Sequence, residues 1–411
     1  HLKAGIPITY TATDYPKNDC GAGIESIFWR YEYDGAPYPD SPPGQNVISG
    51  SDIAAKYGDD YNIPEITNHN WYQINDSSVD IVFDRECRHD LHIFAKDNLC
   101  HRTEIIDQTY YVDDSNPDVF ITNPGHGYYP IGCTEGYLKC YTPVNLTAYD
   151  YPDNECLAGI EGIFWRYEFN GSYYPDEPDD NVVSGTELVN SYGYTDPEII
   201  DYYWYVEYDD EVTIEFEEEC LHNLYFWSKD NLCHHSVIKN FTYHVDNTPP
   251  ELYLDVSGHG YYELEEGIGH LKAGKSFYIN ATDDGDCQAG IETIFWRYAW
   301  NDGLYPTEDG TGIIHGTELV DLYGEEYDKT EITQYYWYYV NDVSVEINFT
   351  EECLHDVYYF AKDNVCHPTD IYSHQFRVDD SNPESYLDFD SEEHGYALDM
   401  DDDKFYIKCG K

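Results

Sequence analysis

The phrase IFWRYEYDG at residues 27–35 returns as IFWRYEFNG at residues 163–171 and as IFWRYAWND at residues 294–302. A second phrase, Asp-Asn-x-Cys-His, ends at His101, His234 and His367, at a constant spacing of 133 residues. Self-similarity at a fixed period is the signature of a repeat architecture. The sequence therefore predicts three units of one fold.

Within a unit, short segments of alternating apolar and polar residues are separated by turn residues, which is typical of β-strands. In the middle unit we expect strands in seven segments, at residues 117–124, 143–150, 159–171, 204–208, 211–217, 224–230 and 237–246. About seven strands with a Trp on the third is the pattern of an immunoglobulin-like sandwich. The predicted fold class is all-β, with Trp29, Trp165 and Trp296 in the core.

The motif Cys-x-Ala-Gly-Ile-Glu-x-Ile-Phe-Trp-Arg-Tyr, the Lys-Asp-Asn turn after the sixth strand and the closing Val-Asp-Asn-Thr-Pro-Pro resemble the tandem immunoglobulin-like repeats of archaeal and bacterial surface proteins. The resemblance covers essentially the whole chain. It implies three tandem Ig-like β-sandwich domains at the cell exterior. It says little about activity.

The repeat register divides the chain into unit 1 (residues 1–116), unit 2 (117–249), unit 3 (250–382) and a C-terminal tail (383–411). Units 2 and 3 each begin with a first strand after the linker. Unit 1 opens directly at HLKAG, which matches the later part of unit 3 that starts at His270, so we expect it to lack its first strand. The tail matches the beginning of unit 3 and is therefore a first strand without a domain.

A missing edge strand leaves backbone N–H and C=O groups unpaired and exposes the apolar groove beneath them. We expect the tail of one copy to supply that strand to unit 1 of the next, which builds a head-to-tail homopolymer. The alternative is a segment cut from a longer array of repeats. The donated residues would be Pro383, Tyr386, Leu387, Tyr406, Ile407 and Cys409.

The chain is strongly acidic, with 81 Asp and Glu against 21 Lys and Arg and a net charge of −60. Such a charge repels nucleic acid and anionic membranes and favours cations as partners. An aromatic content of 17% distinguishes the chain from disordered acidic tails. No apolar run reaches the roughly 18 residues of a spanning helix, so we expect no membrane insertion in this segment.

Each unit carries three cysteines at equivalent positions, as in the disulfide frameworks of secreted proteins. Cysteines flanking the sixth strand are too far apart to pair with each other, because bridged Cα atoms lie within about 7 Å. We expect the bridges Cys20–Cys100, Cys156–Cys233, Cys287–Cys366 and Cys140–Cys220, and Cys87–Cys409 between copies. Cys133 and Cys353 are left to bridge between copies or to remain free.

Acidic loops at one end of each unit suit calcium, which takes six to eight oxygen ligands. The expected ligands are Asp14, Asp19 and Asp97 in unit 1, Asp150, Asp153 and Asp230 in unit 2, and Asp283, Asp286 and Asp363 in unit 3. Linker acids such as Asp113 and Asp246 precede the next unit, where an ion could stiffen the junction. The alternative is a solvated acidic surface without metal, and no other cofactor is expected.

Six Asn-x-Ser/Thr sequons, at Asn75, Asn145, Asn170, Asn240, Asn280 and Asn348, exceed the two or three expected by chance and favour an exported glycoprotein. No nucleophile elbow, phosphate loop or HExxH motif is present, so we expect no enzyme activity. The sequence favours an extracellular structural protein, a filament or surface-layer subunit joined by donated strands and disulfides. The alternative is an adhesin or carbohydrate-binding stalk with Ig-like spacer domains.

Overall fold

The computed structural model of the chain describes residues 1–15, 21–41, 43–151, 156–285 and 287–385, and the backbone of residues 396–399 and 404–407. In unit 1 the elements are β1 (Leu2–Lys3), β2 (Ile8–Thr11), β3 (Ile24–Tyr33), β4 (Ala36–Tyr38), β5 (Val47–Ser49), α1 (Gly50–Tyr57), a 3-10 turn (Asp59–Tyr61), α2 (Pro64–Thr67), β6 (Asn70–Ile74), β7 (Ser78–Ile81), β8 (Cys87–Asp97) and β9 (Ile106–Asp113).

Unit 2 has two strands, β10 (Asp118–Thr122) and β11 (Tyr128–Pro130), before the strand that is equivalent to β1 of unit 1. Its further elements are β12 (Glu135–Lys139), β13 (Val144–Tyr149), β14 (Ile160–Phe169), β15 (Ser172–Tyr174), β16 (Val182–Ser184), α3 (Gly185–Tyr192), α4 (Pro197–Ile200), β17 (Tyr203–Glu207), β18 (Glu211–Ile214), β19 (Cys220–Asp230) and β20 (Lys239–Asp246).

Unit 3 repeats the order of unit 2. Its elements are β21 (Glu251–Asp255), β22 (Tyr261–Glu265), β23 (Ile268–Lys272), β24 (Ser276–Thr282), β25 (Ile291–Trp300), β26 (Gly303–Tyr305), β27 (Ile313–His315), α5 (Gly316–Tyr323), a 3-10 turn (Glu325–Tyr327), α6 (Thr330–Thr333), β28 (Tyr336–Val340), β29 (Ser344–Asn348), β30 (Cys353–Asp363) and β31 (Tyr372–Asp379). The tail adds β32 (Tyr396–Asp399) and β33 (Lys404–Ile407).

Two sheets form each sandwich. In unit 2 a large sheet runs β11-β12-β20-β19-β14-β17-β16, with β15 paired to β14, and a small sheet runs β10-β13-β18. The large sheet is mixed, because β12 pairs parallel to β20 while the other pairings are antiparallel. The expected all-β class is confirmed, and all seven segments expected in unit 2 contain a strand.

The core of unit 2 lies between its two sheets. Val119, Leu146 and Ile214 enter it from the small sheet, and Leu138 and Ile163 enter it from the large one. Successive side chains on a strand point to opposite faces, so a strand with only one buried face alternates in burial. Such alternation made these strands recognisable in the sequence.

The central strand β14 is buried on both faces, since helices cover the outer face of the large sheet. Ile163 packs in the sandwich core, whereas its neighbour Phe164 lies in a second cluster with Leu188 of α3, Ile199 of α4 and Trp204 of β17. Units 1 and 3 have equivalent clusters. This helical layer was not among the elements expected from the sequence.

Local signals for the helices are nonetheless present. Ser184 and Glu187 form a capping box at the start of α3, with the Ser184 hydroxyl accepting from the Glu187 amide and the Glu187 carboxylate accepting from the Ser184 amide. Pro197 occupies the first turn of α4, a position that needs no amide proton. The two helices meet closely, because a Cβ on Gly185 would lie 2.2 Å from the carbonyl oxygen of Ile199.

The expected place of the tryptophans is wrong in part. Trp165 on the third long strand is half-buried and stacks on Tyr205, with ring centroids 5.6 Å apart. The fully buried tryptophan is Trp204 on the next strand, whose indole N–H donates to the carbonyl oxygen of Ile199 at 3.0 Å. Trp29 and Trp296 are likewise half-buried.

Unit 1 has a smaller second sheet. Its strand β2 pairs only with β7, whereas the equivalent strands β13 and β24 each carry a first strand, β10 or β21, on the other edge. Among the described residues, nothing pairs with that edge of β2. The large sheet of unit 1 keeps the equivalent of β12, since β1 pairs parallel to β9 as β12 pairs to β20.

The tail forms a hairpin of β32 and β33. Tyr396 lies opposite Ile407, as Tyr261 lies opposite Leu271 in the β22–β23 hairpin of unit 3. In the described part of the tail, these strands pair only with each other. Of the expected donor residues, Tyr386, Leu387 and Cys409 lie outside the described residues, Pro383 is exposed, and Tyr406 and Ile407 are in β33.

Candidate functional site

The junctions between successive units bring together buried carboxylates, a histidine and a disulfide. At the first junction β9 of unit 1 ends at Asp113 and β10 of unit 2 begins at Asp118. At the second, β20 ends at Asp246 and β21 begins at Glu251. Each short linker brings the last strand of one unit against the loops of the next.

A disulfide spans each junction. Cys87, at the start of β8 in unit 1, is bonded to Cys156 in the loop after β13 of unit 2, with Cα atoms 4.9 Å apart. Cys220 is bonded in the same way to Cys287 of unit 3, with Cα atoms 5.0 Å apart. The units are therefore covalently joined to their neighbours beside the main chain.

These bonds correct the expected pairings Cys156–Cys233, Cys287–Cys366, Cys140–Cys220 and Cys87–Cys409, because one member of each is bonded elsewhere. Cys100, Cys140, Cys233 and Cys366 are free thiols in the described part of the chain, as are Cys133 and Cys353. For the expected Cys20–Cys100 pair, Cys20 lies outside the described residues and Cys100 is not bonded to any described cysteine.

The expected pairings took account only of contacts within one unit. The loop after the second strand does meet the turn after the sixth, as expected: the Asn231 side-chain amide donates to the carbonyl oxygens of Ala158 and Gly159, both at 3.0 Å. The same loop also faces the preceding unit, and Cys156 is fully buried there against Cys87.

A buried carboxylate forms a second link at the first junction. Asp113 accepts a hydrogen bond from the amide of Ser115 in the linker at 2.9 Å and one from the amide of Ala158 in unit 2 at 2.7 Å. Asp113 is fully buried. One side chain thus ends β9, shapes the linker and holds the loop of the next unit.

Asp246 repeats this arrangement at the second junction. It accepts from the amide of Thr248 at 2.9 Å and from the amide of Ala289 in unit 3 at 2.8 Å. It is also fully buried. Recurrence of both links in two different sequences shows that the junction is a built feature of the repeat.

The turn after the sixth strand supplies the opposing face. Asp230 accepts from the amides of Leu232 and His234, both at 2.8 Å, and lies 2.6 Å from Nδ1 of the His234 ring. Asp363 and His367 repeat this pattern in unit 3, with Asp363 2.7 Å from the ring Nδ1. Hydrogen bonds from amides to a carboxylate compensate the cost of burying it.

The acids and the histidine converge across each junction. One ligand atom each of Asp113, Asp230 and His234 lies within 4.8 Å of the others, and the same holds for Asp246, Asp363 and His367. All six residues are buried. Of the expected calcium ligands, the structure therefore brings Asp230 and Asp363 together with a linker acid of the preceding unit.

At the second junction, burial and neighbouring carboxylates disfavour the charged form of Asp283. Burial, together with the nearby carboxylates of Asp246 and Asp363, raises the pKa of Asp283 to about 6, although the hydrogen bond from the Gly290 amide and the nearby His367 act to lower it. One carboxylate oxygen of Asp283 is buried without a hydrogen-bond partner. At the first junction burial similarly raises the pKa of Asp113 and Asp150.

Two carboxylates and a histidine at each junction match a divalent cation in charge. Three donors are fewer than the six to eight oxygens that calcium takes, and a histidine nitrogen suits calcium less well than oxygen does. The calcium site stays a prediction. In unit 1, Asp14 accepts from the amide of Gly23 at 2.8 Å and Asp97 contacts His101. Asp19, Asp153 and Asp286 lie outside the described residues.

Unit 1 shows the same face uncovered. The side chain of His101 is 76% exposed, whereas those of His234 and His367 are 7% and 8% exposed. The difference arises because unit 1 covers His234 and unit 2 covers His367. The uncovered face of unit 1 is the counterpart of a surface that is buried twice within the chain.

The sequons lie on the accessible surface. Asn75, Asn170, Asn240 and Asn348 are exposed, and Asn145 and Asn280 are half-buried. No helix in the described part of the chain is long and apolar enough to span a membrane.

No protein-family model and no curated protein sequence matches the chain. Solved structures that resemble it include the fibronectin(III)-like modules of Clostridium thermocellum CbhA, with 9% identity and a TM-score of 0.27 over 66% of this chain and 100% of that one. The FN1-FN3 domains of chicken CNTN1 show 10% identity and a TM-score of 0.27, covering 91% and 95% of the two chains. Extracellular domains 3-5 of Drosophila OTK show 8% identity and a TM-score of 0.24, covering 92% and 93%. TM-scores this low do not establish a shared function.

Proposed function

We propose that the chain is an extracellular structural protein, the subunit of a head-to-tail filament or surface layer whose copies are joined by strand donation and disulfides. The observation that carries the proposal is the open edge of β2 in unit 1, where units 2 and 3 each have a first strand. An unpaired edge is a template for an added strand.

The tail supports the proposal because its hairpin has the register of the β22–β23 hairpin but pairs with neither sheet of a unit among the described residues. In unit 1, β1 already occupies the position that β33 would take. We therefore expect the donated part to be the segment before β33, whose sequence matches β21.

The junction disulfides support an oxidising, extracellular location, because such bonds are rare in reducing compartments. Repetition of one module, with its buried acids used to hold units together, favours a structural role over catalysis. The exposure of Asn75, Asn170, Asn240 and Asn348 supports glycan attachment at these sequons.

The test is to delete residues 383–411 and to compare the variant with the full chain by electron microscopy and by light scattering. The full chain should form fibres and the shortened chain should stay a single short rod. A second variant, Leu387→Asp in the full chain, keeps the length but places a charge in the expected donated strand. It too should stay a single short rod.

Unchanged fibres from the shortened chain would overturn strand donation. An adhesin or carbohydrate-binding stalk is the alternative function. Under it, both chains stay as separate rods.

A further inference from the structure

The two ends of the three-unit array carry the two halves of one more junction. At the trailing end of unit 3, Cys353 is the counterpart of Cys87 and Cys220, and it has the same unusual positive φ, 94° against 88° and 95°. Its two counterparts are bonded to the following unit, whereas Cys353 is an exposed free thiol. The backbone that presents the cysteine is thus already in place.

The linker acid at this end is also in place. Asp379 is the counterpart of Asp113 and Asp246, and it accepts from the amide of Ser381 at 2.9 Å as they accept from their own linker amides. Asp113 and Asp246 are fully buried because each also binds an amide of the next unit. Asp379 is exposed.

The leading end of unit 1 carries the receiving groups. Ala22 is the counterpart of Ala158 and Ala289, whose amides bind the linker acid of the preceding unit. Asp97 and His101 have the internal geometry of Asp363 and His367, with the carboxylate 2.8 Å from the ring Nδ1, but His101 is exposed. The repeat register assigns Cys20 the position of Cys156 and Cys287; it lies outside the described residues.

Charge supports the same match. At the second junction the Lys139 ammonium lies 2.6 Å from the carboxylate of Glu326. By the repeat register the counterpart of Lys139 at the trailing end is Lys272, and the counterpart of Glu326 in unit 1 is Asp60. Both are exposed, so a junction between unit 3 and unit 1 would regain this ion pair.

These two surfaces lie at opposite ends of their units. The trailing surface is at the start of a sixth strand and the leading surface at its end, and in unit 1 that strand, β8, is 11 residues long, or roughly 33 Å. A surface that pairs with a different surface of an identical molecule gives an open chain of copies when the rotation does not close. The partner that fits is therefore a second copy.

We propose that the trailing end of unit 3 binds the leading end of unit 1 of a second copy through the same junction that joins the units within the chain, closed by a disulfide between Cys353 and Cys20. The proposal rests on the head-to-tail assembly proposed above and names its contact. The Asp379 carboxylate then accepts from the Ala22 amide, and the linker covers His101.

Closing the bond converts two thiols into one disulfide and releases two protons and two electrons. A small-molecule disulfide is the oxidant: it accepts the two electrons and the two protons by thiol–disulfide exchange and leaves as two thiols. Cys353 reacts readily in this scheme because it is exposed.

The experiment incubates the purified full chain in a buffer of oxidised and reduced glutathione and separates the products on a non-reducing denaturing gel. The full chain should give a ladder of covalent oligomers, and peptide mapping should find Cys353 linked to Cys20. Cys353→Ser and Cys20→Ser should each abolish the ladder. An equimolar mixture of these two variants should stop at a dimer, because each has one working end.

Cys133→Ser is the matched control, since Cys133 is also an exposed free thiol but lies outside the junctions. Its ladder should match that of the unaltered chain. A ladder that survives Cys353→Ser, or a linkage through Cys133, overturns the inference.

The result also separates this inference from strand donation. Fibres without the Cys353–Cys20 bond overturn the inference and leave strand donation standing. A ladder that persists after deletion of residues 383–411 supports the inference and removes strand donation from the proposed function.

Discussion

The carboxylate of Asp246 accepts a hydrogen bond from the backbone amide of Ala289 at 2.8 Å, so the last strand of one unit is tied directly to a loop of the next. A hydrogen bond from an amide to a charged carboxylate is stronger than a hydrogen bond between two neutral groups. Together with the nearby Cys220–Cys287 disulfide, it gives each junction a defined geometry rather than a flexible tether.

The disulfides should hold the units together after the main chain is cut. We would insert a protease site in the linker between Asp246 and Glu251 and cleave the folded protein. The two fragments should migrate together on a non-reducing gel and separate after reduction, because Cys220 and Cys287 lie on opposite sides of the cut. Separation without reductant would instead favour pairing within each unit. A Cys220→Ser variant of the same protein is the control and should separate in both conditions.

Loss of the carboxylate link should loosen the first junction. Asp113→Ala removes the acceptor of the Ser115 and Ala158 amides, and leaving a buried donor unpaired costs about 1–3 kcal/mol. Hydrogen exchange at the Ala158 amide should become faster, as measured by mass spectrometry. Asp114→Ala is the matched control, because Asp114 is the exposed neighbour in the same linker. Equal exchange in both variants would contradict the role of Asp113.

The second junction should lose stability as the pH rises. The pKa of Asp283 is about 6 in the folded protein against an ordinary value of 3.8, so folded unit 3 binds more protons than the unfolded chain between about pH 4 and pH 6. The stabilising effect of protonation is complete below about pH 4 and is lost as the pH passes about 6. The resulting cost at pH 7 is about 3 kcal/mol.

Asp283→Asn should therefore raise the thermal unfolding midpoint at pH 7 and change it little at pH 4, as measured by calorimetry. Asp284→Asn, an exposed neighbour, is the control. A gain of the same size at both pH values would contradict the raised pKa. If the predicted calcium site is correct, added calcium should raise the midpoint of the unaltered protein at pH 7 and should do so less in Asp283→Asn.

The helical layer should not accept a side chain at Gly185. A Cβ there would lie 2.2 Å from the carbonyl oxygen of Ile199, and backbone atoms cannot yield as a flexible side chain does. Gly185→Ala should destabilise unit 2 by about 1–3 kcal/mol, as seen in denaturant unfolding. Gly132→Ala is the control, since a Cβ at Gly132 meets nothing within 4 Å. Equal stability of the two variants would mean that α3 and α4 do not pack as described.

The repeated phrases, and the alternation of apolar and polar residues within each unit, were enough to predict an all-β repeat and the seven main strands of unit 2. Alternation follows from one buried face on each strand. The central strand β14 departs from that rule, since Phe164 is buried by helices on its outer face. Burial on both faces gives β14 the continuous apolar run of residues 163–165 in place of alternation, and such a run does not show what covers the outer face.

The pairing of the cysteines was beyond the sequence for a different reason. Spacing correctly excluded a bond across the sixth strand, and it correctly placed the loop of Cys156 near the turn of Cys233. It could not show that the preceding unit's Cys87 lies closer still, since that contact depends on how one folded unit sits on the next. Residue order determined the module and its three copies, because local side-chain patterns specify strands. Only the tertiary structure decided the junctions, because Cys156, Asp113 and their partners come together only after two units have folded.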